Sequence, residues 1–446
     1  MVSIKLAALL TVLATASVSV ATRVHVRIGP SNVTNTGATT TAPSDPTTPV
    51  GSVPLLEIGR WEPIDAAKYK LVDCKAQSWT LTRKGVASLA LRFSSVNISP
   101  DDQLIVSAVD GSSPQQVRSE SLTTLPIRGT ALKLEFRPST KGCAAAGKAP
   151  SFAIDALGFE WPANKIITKE SVCGKNTAKD AQCFKDEYPK EYAASRAVAR
   201  TVFINASKDF VCTAWLWGNQ GHLVSNHHCF SSQKVVDTAR FEFLFEAPQC
   251  NNSCVRNACP IAEMLVAKNN VKFIKSNPAL DYAVLQITTN AKHYVEKYGY
   301  LRLRDGAPHL GEKIYIPQHP GGKPKKIALT DDDNDSQAAS LTRLNQWAFS
   351  GDVTLSGLVG YAADTEGGSS GSPVILRSSH LVVALHHHGG CANKGTPSSL
   401  LLKPFRDISS TNDGVAKEGV DVAATKDDNA DGDDTDIDTS DDDDEY

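Results

Sequence analysis

The sequence predicts an all-β protein of two folded units, and three features of the chain carry that reading. Short alternating apolar runs recur between residues 55 and 165: Leu89, Leu91 and Phe93, then Leu132, Leu134 and Phe136, then Phe152, Ile154 and Leu157, separated by Gly, Pro and Asp/Ser clusters. Apolar residues at period two mark half-buried strands, and their repetition at short spacing describes a small β-sandwich. Beyond a boundary near residues 161–169, cysteines become frequent and strand-like segments continue to about Ser410. With 446 residues the chain is long enough for a sizeable core in both units.

The ends of the chain read differently. Residues 1–21 start with one lysine, run through LAALLTVLATASVSVA and close on Ser19-Val20-Ala21, the pattern of a signal peptide cleaved before Thr22. Residues 22–54 are rich in Thr, Pro and Ser, too poor in apolar side chains to bury a core, and read as a linker. Residues 411–446 are an acidic, solvated tail; from residue 412 it carries two lysines against fifteen acids, net -13, which leaves the rest of the chain at +10 within the total of -3. That basicity is spread out, with no compact Lys/Arg cluster, so nucleic acid is not an expected partner. No later segment has the roughly 20 apolar residues of a membrane span, so a membrane is not expected either. Ten cysteines and the Asn-x-Ser/Thr sequons at Asn32, Asn97, Asn205, Asn251 and Asn334 fit a secreted, extracellular protein. Cys74 and Cys143, the only cysteines of the sandwich segment, are expected to pair.

Three motifs carry chemistry. FVCTAWLWGNQGHLVSNHHC, residues 210–229, has two β-like arms around Gly218-Asn219-Gln220-Gly221, with Cys212 and Cys229 placed to staple them. His228 sits beside the second cysteine at a braced strand end; His227 reads as structural. Asp281 heads the apolar strand DYAVLQI, where a buried carboxylate needs a donor such as an imidazole N–H. In Glu366-Gly367-Gly368-Ser369-Ser370-Gly371-Ser372-Pro373, the glycines permit a sharp turn that exposes the Ser370 hydroxyl and aims the amides of Gly368 and Ser370 at one point, an oxyanion hole. Each motif alone has a plainer reading, as a structural histidine, a capping aspartate or a Gly/Ser loop.

The ordered set SNHHC, LDYAVL and GSSGSP, with His228, Asp281 and Ser370 spaced 53 and 89 residues apart, resembles the motifs of chymotrypsin-like serine peptidases. The resemblance is nearest to the bacterial-type lysyl and glutamyl endopeptidase branch, through His227-His228-Cys229, Thr365-Glu366, and His319-Pro320 with the basic stretch to Lys326. It covers residues 170–410 and implies two six-stranded antiparallel β-barrels, following the sandwich of residues 55–165, which itself faintly resembles a CUB-like jelly roll. It also implies protein or peptide substrates, no cofactor, and a catalytic triad of His228, Asp281 and Ser370 acting through an acyl-enzyme. By the same resemblance Cys173 pairs with Cys391, Cys212 with Cys229, and Cys183 with one of Cys250, Cys254 and Cys259, the other two pairing together.

Departures from that pattern shape the finer expectations. Ser369 stands where trypsin-like zymogens carry an aspartate for the new N-terminus, so activation by that ion pair is not expected. Instead the region before Cys173 reads as a cleavable pro-segment, with Lys165 and Lys169 as processing points, or as a binding domain for a ligand the sequence does not name. Asp364, six residues before Ser370, favours Lys or Arg before the scissile bond, whereas Thr365 and His387 match pocket positions of glutamyl enzymes. The competing reading is a non-catalytic protease-like binding or inhibitor protein; an esterase elbow is disfavoured because a strand, not a helix, follows Ser370. Metal ligation has little support, since His386-His387-His388 alternate faces on a strand and Asp331 to Asp335 lack the glycine and glutamate of a calcium loop.

Overall fold

The computed structural model describes residues 55–417, apart from 121, 144–148, 167–171, 173, 253, 255–258, 260, 333, 351–352 and 410. The signal-like segment, the linker, Lys169, Cys173 and the tail beyond 417 lie outside the described residues.

The first unit is a sandwich of strands β1 (Leu56–Pro63), β2 (Gln77–Thr82), β3 (Ser88–Asn97), β4 (Gln103–Ser107), β5 (Gln115–Gln116), β6 (Ile127–Arg128), β7 (Ala131–Arg137) and β8 (Ser151–Glu160). One face is the sheet β2-β7-β4-β5, the other the run β1-β8-β3-β6. The alternation read from the sequence is what fills it: Leu132, Leu134 and Phe136 of β7 meet Leu89, Leu91 and Phe93 of β3 in one buried cluster. Such side chains contribute about 1.5–3 kcal/mol each when fully buried. The Cys74–Cys143 disulfide closes this unit.

The second unit starts with a short β9 (Lys179–Asp180) and continues through β10 (Val198–Asn205), β11 (Lys208–Trp217), β12 (His222–Ser225), β13 (Arg240–Phe243), β14 (Glu263–Val266), β15 (Val271–Asn277) and β16 (Tyr282–Ile287). These curl as β14-β13-β10-β11, with β12 joining β11 to β16 and β16 pairing β15, all antiparallel. A second curled sheet, which β9 joins by pairing with β19, is made by β17 (Leu303–Arg304), β18 (Ile314–Gln318), β19 (Lys326–Ala328), β20 (Ser340–Ser350), β21 (Val353–Ala362), β22 (Pro373–Leu376), β23 (Val382–His388), β24 (Asn393–Pro397) and β25 (Val415–Ala416). The protein is all-β, with two antiparallel barrels after a small sandwich. The helix Ser398–Ile408 buries Leu401 and Phe405 against Trp217 and Tyr282.

The two units share a sheet. Strand β1 pairs with β8 along Gly59 to Pro63 and, on its other edge, with β11 along Leu56 to Arg60. The boundary expected near residues 161–169 thus separates the units in sequence but not in the hydrogen-bonded sheet. Gly59 is required at this crossing, because a Cβ there would lie 2.3 Å from the Phe159 carbonyl oxygen. The acidic tail expected from residue 411 is folded at its start: β25 pairs in parallel with β17, the Tyr300 hydroxyl donates to Asp413 at 2.6 Å, and Trp217 Nε1 donates to the Gly414 carbonyl at 2.8 Å.

Where the units meet, Trp61 Nε1 donates to Asp209 Oδ1 at 2.9 Å and Arg240 donates to Glu160 at 2.9 Å, beside a cavity of about 610 Å³. Burial, reinforced by the nearby Glu160 carboxylate, pushes Asp209 up to about 7, against the bond from Trp61 and the field of Arg240. Folded Asp209 therefore keeps its proton up to about pH 7 while the unfolded side chain loses it near 4, so this residue makes stability fall as pH rises through that window. Asp209→Asn is expected to raise the melting temperature at pH 8, by an amount on the order of a few kcal/mol in stability, and to leave it unchanged near pH 4. Equal shifts at both pH values would refute this.

Candidate active site

His228 and Asp281 meet at the ends of two paired strands. Strand β12 ends at Ser225 and its neighbour β16 begins at Tyr282, so the Asn226–Cys229 turn faces the residue preceding β16. Asp281 is 1% exposed; its Oδ1 accepts the His228 backbone N–H at 3.0 Å and its Oδ2 lies 2.7 Å from His228 Nδ1. Asn226 Nδ2 donates to the Asp281 carbonyl at 2.7 Å, fixing the backbone at a residue whose φ is +46°, a left-handed geometry that aspartate tolerates better than most. Burial opposes ionisation of Asp281, but the charge and hydrogen bonds of His228 outweigh it and hold the carboxyl below its usual range. Nε2 of His228 has no hydrogen-bond partner among the described residues. His227 turns away, its Nδ1 2.8 Å from the Ser276 hydroxyl, and burial lowers its pKa.

The disulfide Cys212–Cys229 staples β11 to this turn, and a ring nitrogen of His228 lies within 4.8 Å of both sulfurs. With both sulfurs in the bridge, neither is a thiolate that could ligate a metal.

Ser370 is carried by a turn in which Ser369 N–H donates to the Glu366 carbonyl and Ser372 N–H to the Ser369 carbonyl, both at 3.0 Å. Gly368 and Gly371 have φ of +97° and +91°, conformations that disfavour any side chain. Gly371 also has no room, since a Cβ would lie 2.2 Å from the Thr213 carbonyl oxygen. The turn is fastened from three sides. Thr213 N–H donates to the Ser370 carbonyl at 2.8 Å, Gly371 N–H to the His386 carbonyl at 2.9 Å, and Gly321 N–H to the Gly367 carbonyl at 2.7 Å. Thr213 is the neighbour of Cys212, so one strand, β11, holds both Ser370 and, through the disulfide, the His228 turn. No group among the described residues accepts the amide N–H of Gly368 or Ser370.

The residues expected to set specificity lie in the same region and are buried. Asp364 Oδ2 accepts the Thr177 N–H at 2.6 Å and its hydroxyl at 2.8 Å, and Thr365 donates to Asn393 Oδ1 at 2.9 Å. His387 is brought close enough to Asp281 to be felt electrostatically, while burial pushes its pKa down to about 4. The remaining bridges are Cys183–Cys250 and Cys254–Cys259; Cys391 is disulfide-bonded, and its expected partner Cys173 lies outside the described residues.

Several supports of the site escaped the sequence reading. Thr213 and Ser225 form a buried rung, the Ser225 hydroxyl donating to the Thr213 carbonyl at 2.8 Å. Asn393 ties Thr365 to the Ala363 carbonyl, and Lys323 neutralises buried Glu366 at 2.8 Å. Polar residues beside Cys212 and Cys391 were a usable signal for Thr213 and Asn393; Lys323 lies in the basic stretch that follows His319-Pro320, but nothing there marked Glu366 as its partner.

Residues 174–400 match the family model of the lysyl endopeptidase C-terminal domain. The chain belongs to that family. The matched stretch contains His228, Asp281 and Ser370, and the two barrels are those of a chymotrypsin-like serine peptidase. This lysyl endopeptidase-family chain is 34% identical over 262 residues to secreted RxLR effector protein 73 of Plasmopara viticola, covering 58% of the chain and 62% of that relative. It is 32% identical over 116 residues to the uncharacterized protein y4fB of Sinorhizobium fredii, covering 25% of the chain and 16% of the relative. The lysyl endopeptidase-family chain therefore spans less than two thirds of the length of both. Among solved structures, it is similar to the MamO protease domain of Magnetospirillum magneticum (TM-score 0.35, 11% identity, 48% of this chain and 98% of that one). It is also similar to the serine endoprotease from Yersinia pestis (TM-score 0.34, 14% identity, 49% and 65%).

Proposed function

We propose that this protein is a secreted serine endopeptidase with His228, Asp281 and Ser370 as its triad. The observation that carries the reading is the His228–Asp281 pair, with Nδ1 held at 2.7 Å by a buried carboxylate and Nε2 without a hydrogen-bond partner among the described residues, its turn fastened to β11, the strand that also fastens the Ser370 turn. Asp281 fixes the tautomer that leaves Nε2 basic. In the reaction, Nε2 takes the Ser370 proton as Oγ bonds to the scissile carbonyl carbon, and the Gly368 and Ser370 amides stabilise the resulting oxyanion. Collapse breaks the C–N bond, with Nε2 returning its proton to the leaving amine. Water, deprotonated by the same nitrogen, then hydrolyses the acyl-enzyme.

Secretion is supported by the signal-like N-terminus, the disulfides, and the exposure of the sequon residues Asn97, Asn205, Asn251 and Asn334. Within the reading, Lys or Arg is preferred before the scissile bond, on the strength of the family and of the Asp364 carboxylate six residues before Ser370. The test is fluorophosphonate labelling followed by a peptide-library digest. Labelling at Ser370 and cleavage after Lys or Arg are expected. Cleavage after Glu would overturn the preference, and an unlabelled Ser370 in folded protein would favour a binding or inhibitory role.

A further inference from the structure

In the proposed reaction His228 Nε2 must hand a proton to the leaving nitrogen, so the part of a substrate C-terminal to the cut has to depart past His228. Its exit is bounded by the Cys212–Cys229 bridge, which lies within 4.8 Å of the imidazole, and by the backbone next to Cys212 on β11. That edge is already taken. Leu56 pairs with Val211 and Glu57 with Phe210, antiparallel, and β8 joins β1 only from Gly59 onward, so at Leu56 and Glu57 the strand partner is β11. Leu56 lies against the nucleophile turn, its Cβ 3.4 Å from where a Cβ on Gly367 would be, and Val211 reaches to 3.2 Å of the corresponding point on Gly368. Leu55 packs on the barrel cluster that contains Cys212 and Cys229.

Direction matches as well as place. A leaving-group peptide has its amino end at the reacting carbon and runs away from it; β1 has its amino end at the Gly367 turn and runs away from it toward Arg60. We propose that the Leu55–Glu57 segment occupies the leaving-group side of the site in cis, as the released half of a cut peptide would. It thereby determines specificity, favouring substrates recognised through their acyl side and carrying little beyond the scissile bond. The inference rests on the assignment of Ser370 as nucleophile. It also gives the sandwich unit a role other than that of a discarded segment, because β1 reaches the site only through a sheet that β8 completes.

The experiment compares two substrates with the same acyl residues in the full-length protein, one releasing an aminocoumarin and one extended by a short peptide beyond the cut. A tethered strand competes at an effective concentration of about millimolar, so the extended peptide is expected to be cut about tenfold or more slowly than an open edge would allow. Glu57→Pro, which puts a proline into the part of β1 paired with β11, and Leu56→Gly, which removes the side chain touching the turn but keeps the backbone, are both expected to speed the extended substrate selectively. Either variant that keeps the parental melting curve suffices. Preferential cleavage of the extended peptide by the parent protein, or an unchanged ratio in a folded variant, would overturn the proposal. Failure of the Ser370 assignment looks different: no fluorophosphonate labelling and no turnover of either substrate by any form, which removes the inference with it.

Discussion

Replacing Ser370 by alanine is expected to lower kcat by roughly five to six orders of magnitude while leaving the fold intact. The loss should be this large because in the proposed reaction the Ser370 hydroxyl is the atom that bonds to the substrate, and the turn that carries it is fixed by the hydrogen bonds of Thr213, Gly371 and Gly321. Asp281→Asn should cost about four orders, since the amide presents the wrong partner to His228 Nδ1 and selects the tautomer that cannot accept a proton at Nε2. The two effects should not add, as both substitutions disable one unit. The measurement is kcat on the best library peptide, with circular dichroism confirming the fold. A Ser370→Ala protein retaining a tenth of parental activity would sink the triad assignment.

The second large effect concerns stability. Arg200, on β10, is buried against Glu242; it also donates to the Gly322 carbonyl at 2.8 Å and stacks 3.6 Å over Phe245. Arg240 bonds the other carboxylate oxygen of Glu242 at 2.8 Å and reaches on to Glu160 of the sandwich unit. Burial works against ionised Glu242, but the two arginines outweigh it and keep it charged. Arg200→Met would leave a buried carboxylate half-compensated and free the Gly322 carbonyl, at a cost of about 3–5 kcal/mol. For a chain of this size that corresponds to a fall in Tm on the order of 10 °C. Adding Glu242→Met to Arg200→Met should recover part of the loss, because the stranded charge is then gone. A fall of less than about 2 °C for Arg200→Met would show that the network is not a structural cross-tie. Since Gly322 borders Gly368, its amide nitrogen 3.1 Å from the point where a Cβ on Gly368 would lie, the single variant should also lose activity in excess of its loss of fold.

Much of the fold was legible because the strands here obey local rules. Leu132, Leu134 and Phe136 alternate with Lys133 and Glu135 since one face of β7 is dry and the other wet, and period two records that difference. The GNQG turn between β11 and β12 was readable for a similar reason: Gly218 and Gly221 adopt φ of +63° and +74°, which glycine alone adopts freely. Less was legible where strands are buried on both faces. All of β23, Val382 to His388, is buried, so nothing in its pattern told which of His386, His387 and His388 would face the site.

What the sequence marked by itself was the set of candidate reacting groups and their local settings. A histidine beside a stapling cysteine, an aspartate at a strand head and a serine between glycines are each specified within a few residues, because turns and strand ends are short-range structures. Only the tertiary structure decided that the sandwich shares a sheet with the first barrel, that Asp364 is held by Thr177, and that Arg200 and Arg240 bridge Gly322 to Glu160. Those contacts join residues far apart along the chain, and a strand edge or a buried charge accepts any partner of suitable geometry. Local composition therefore carries no record of which one it will meet.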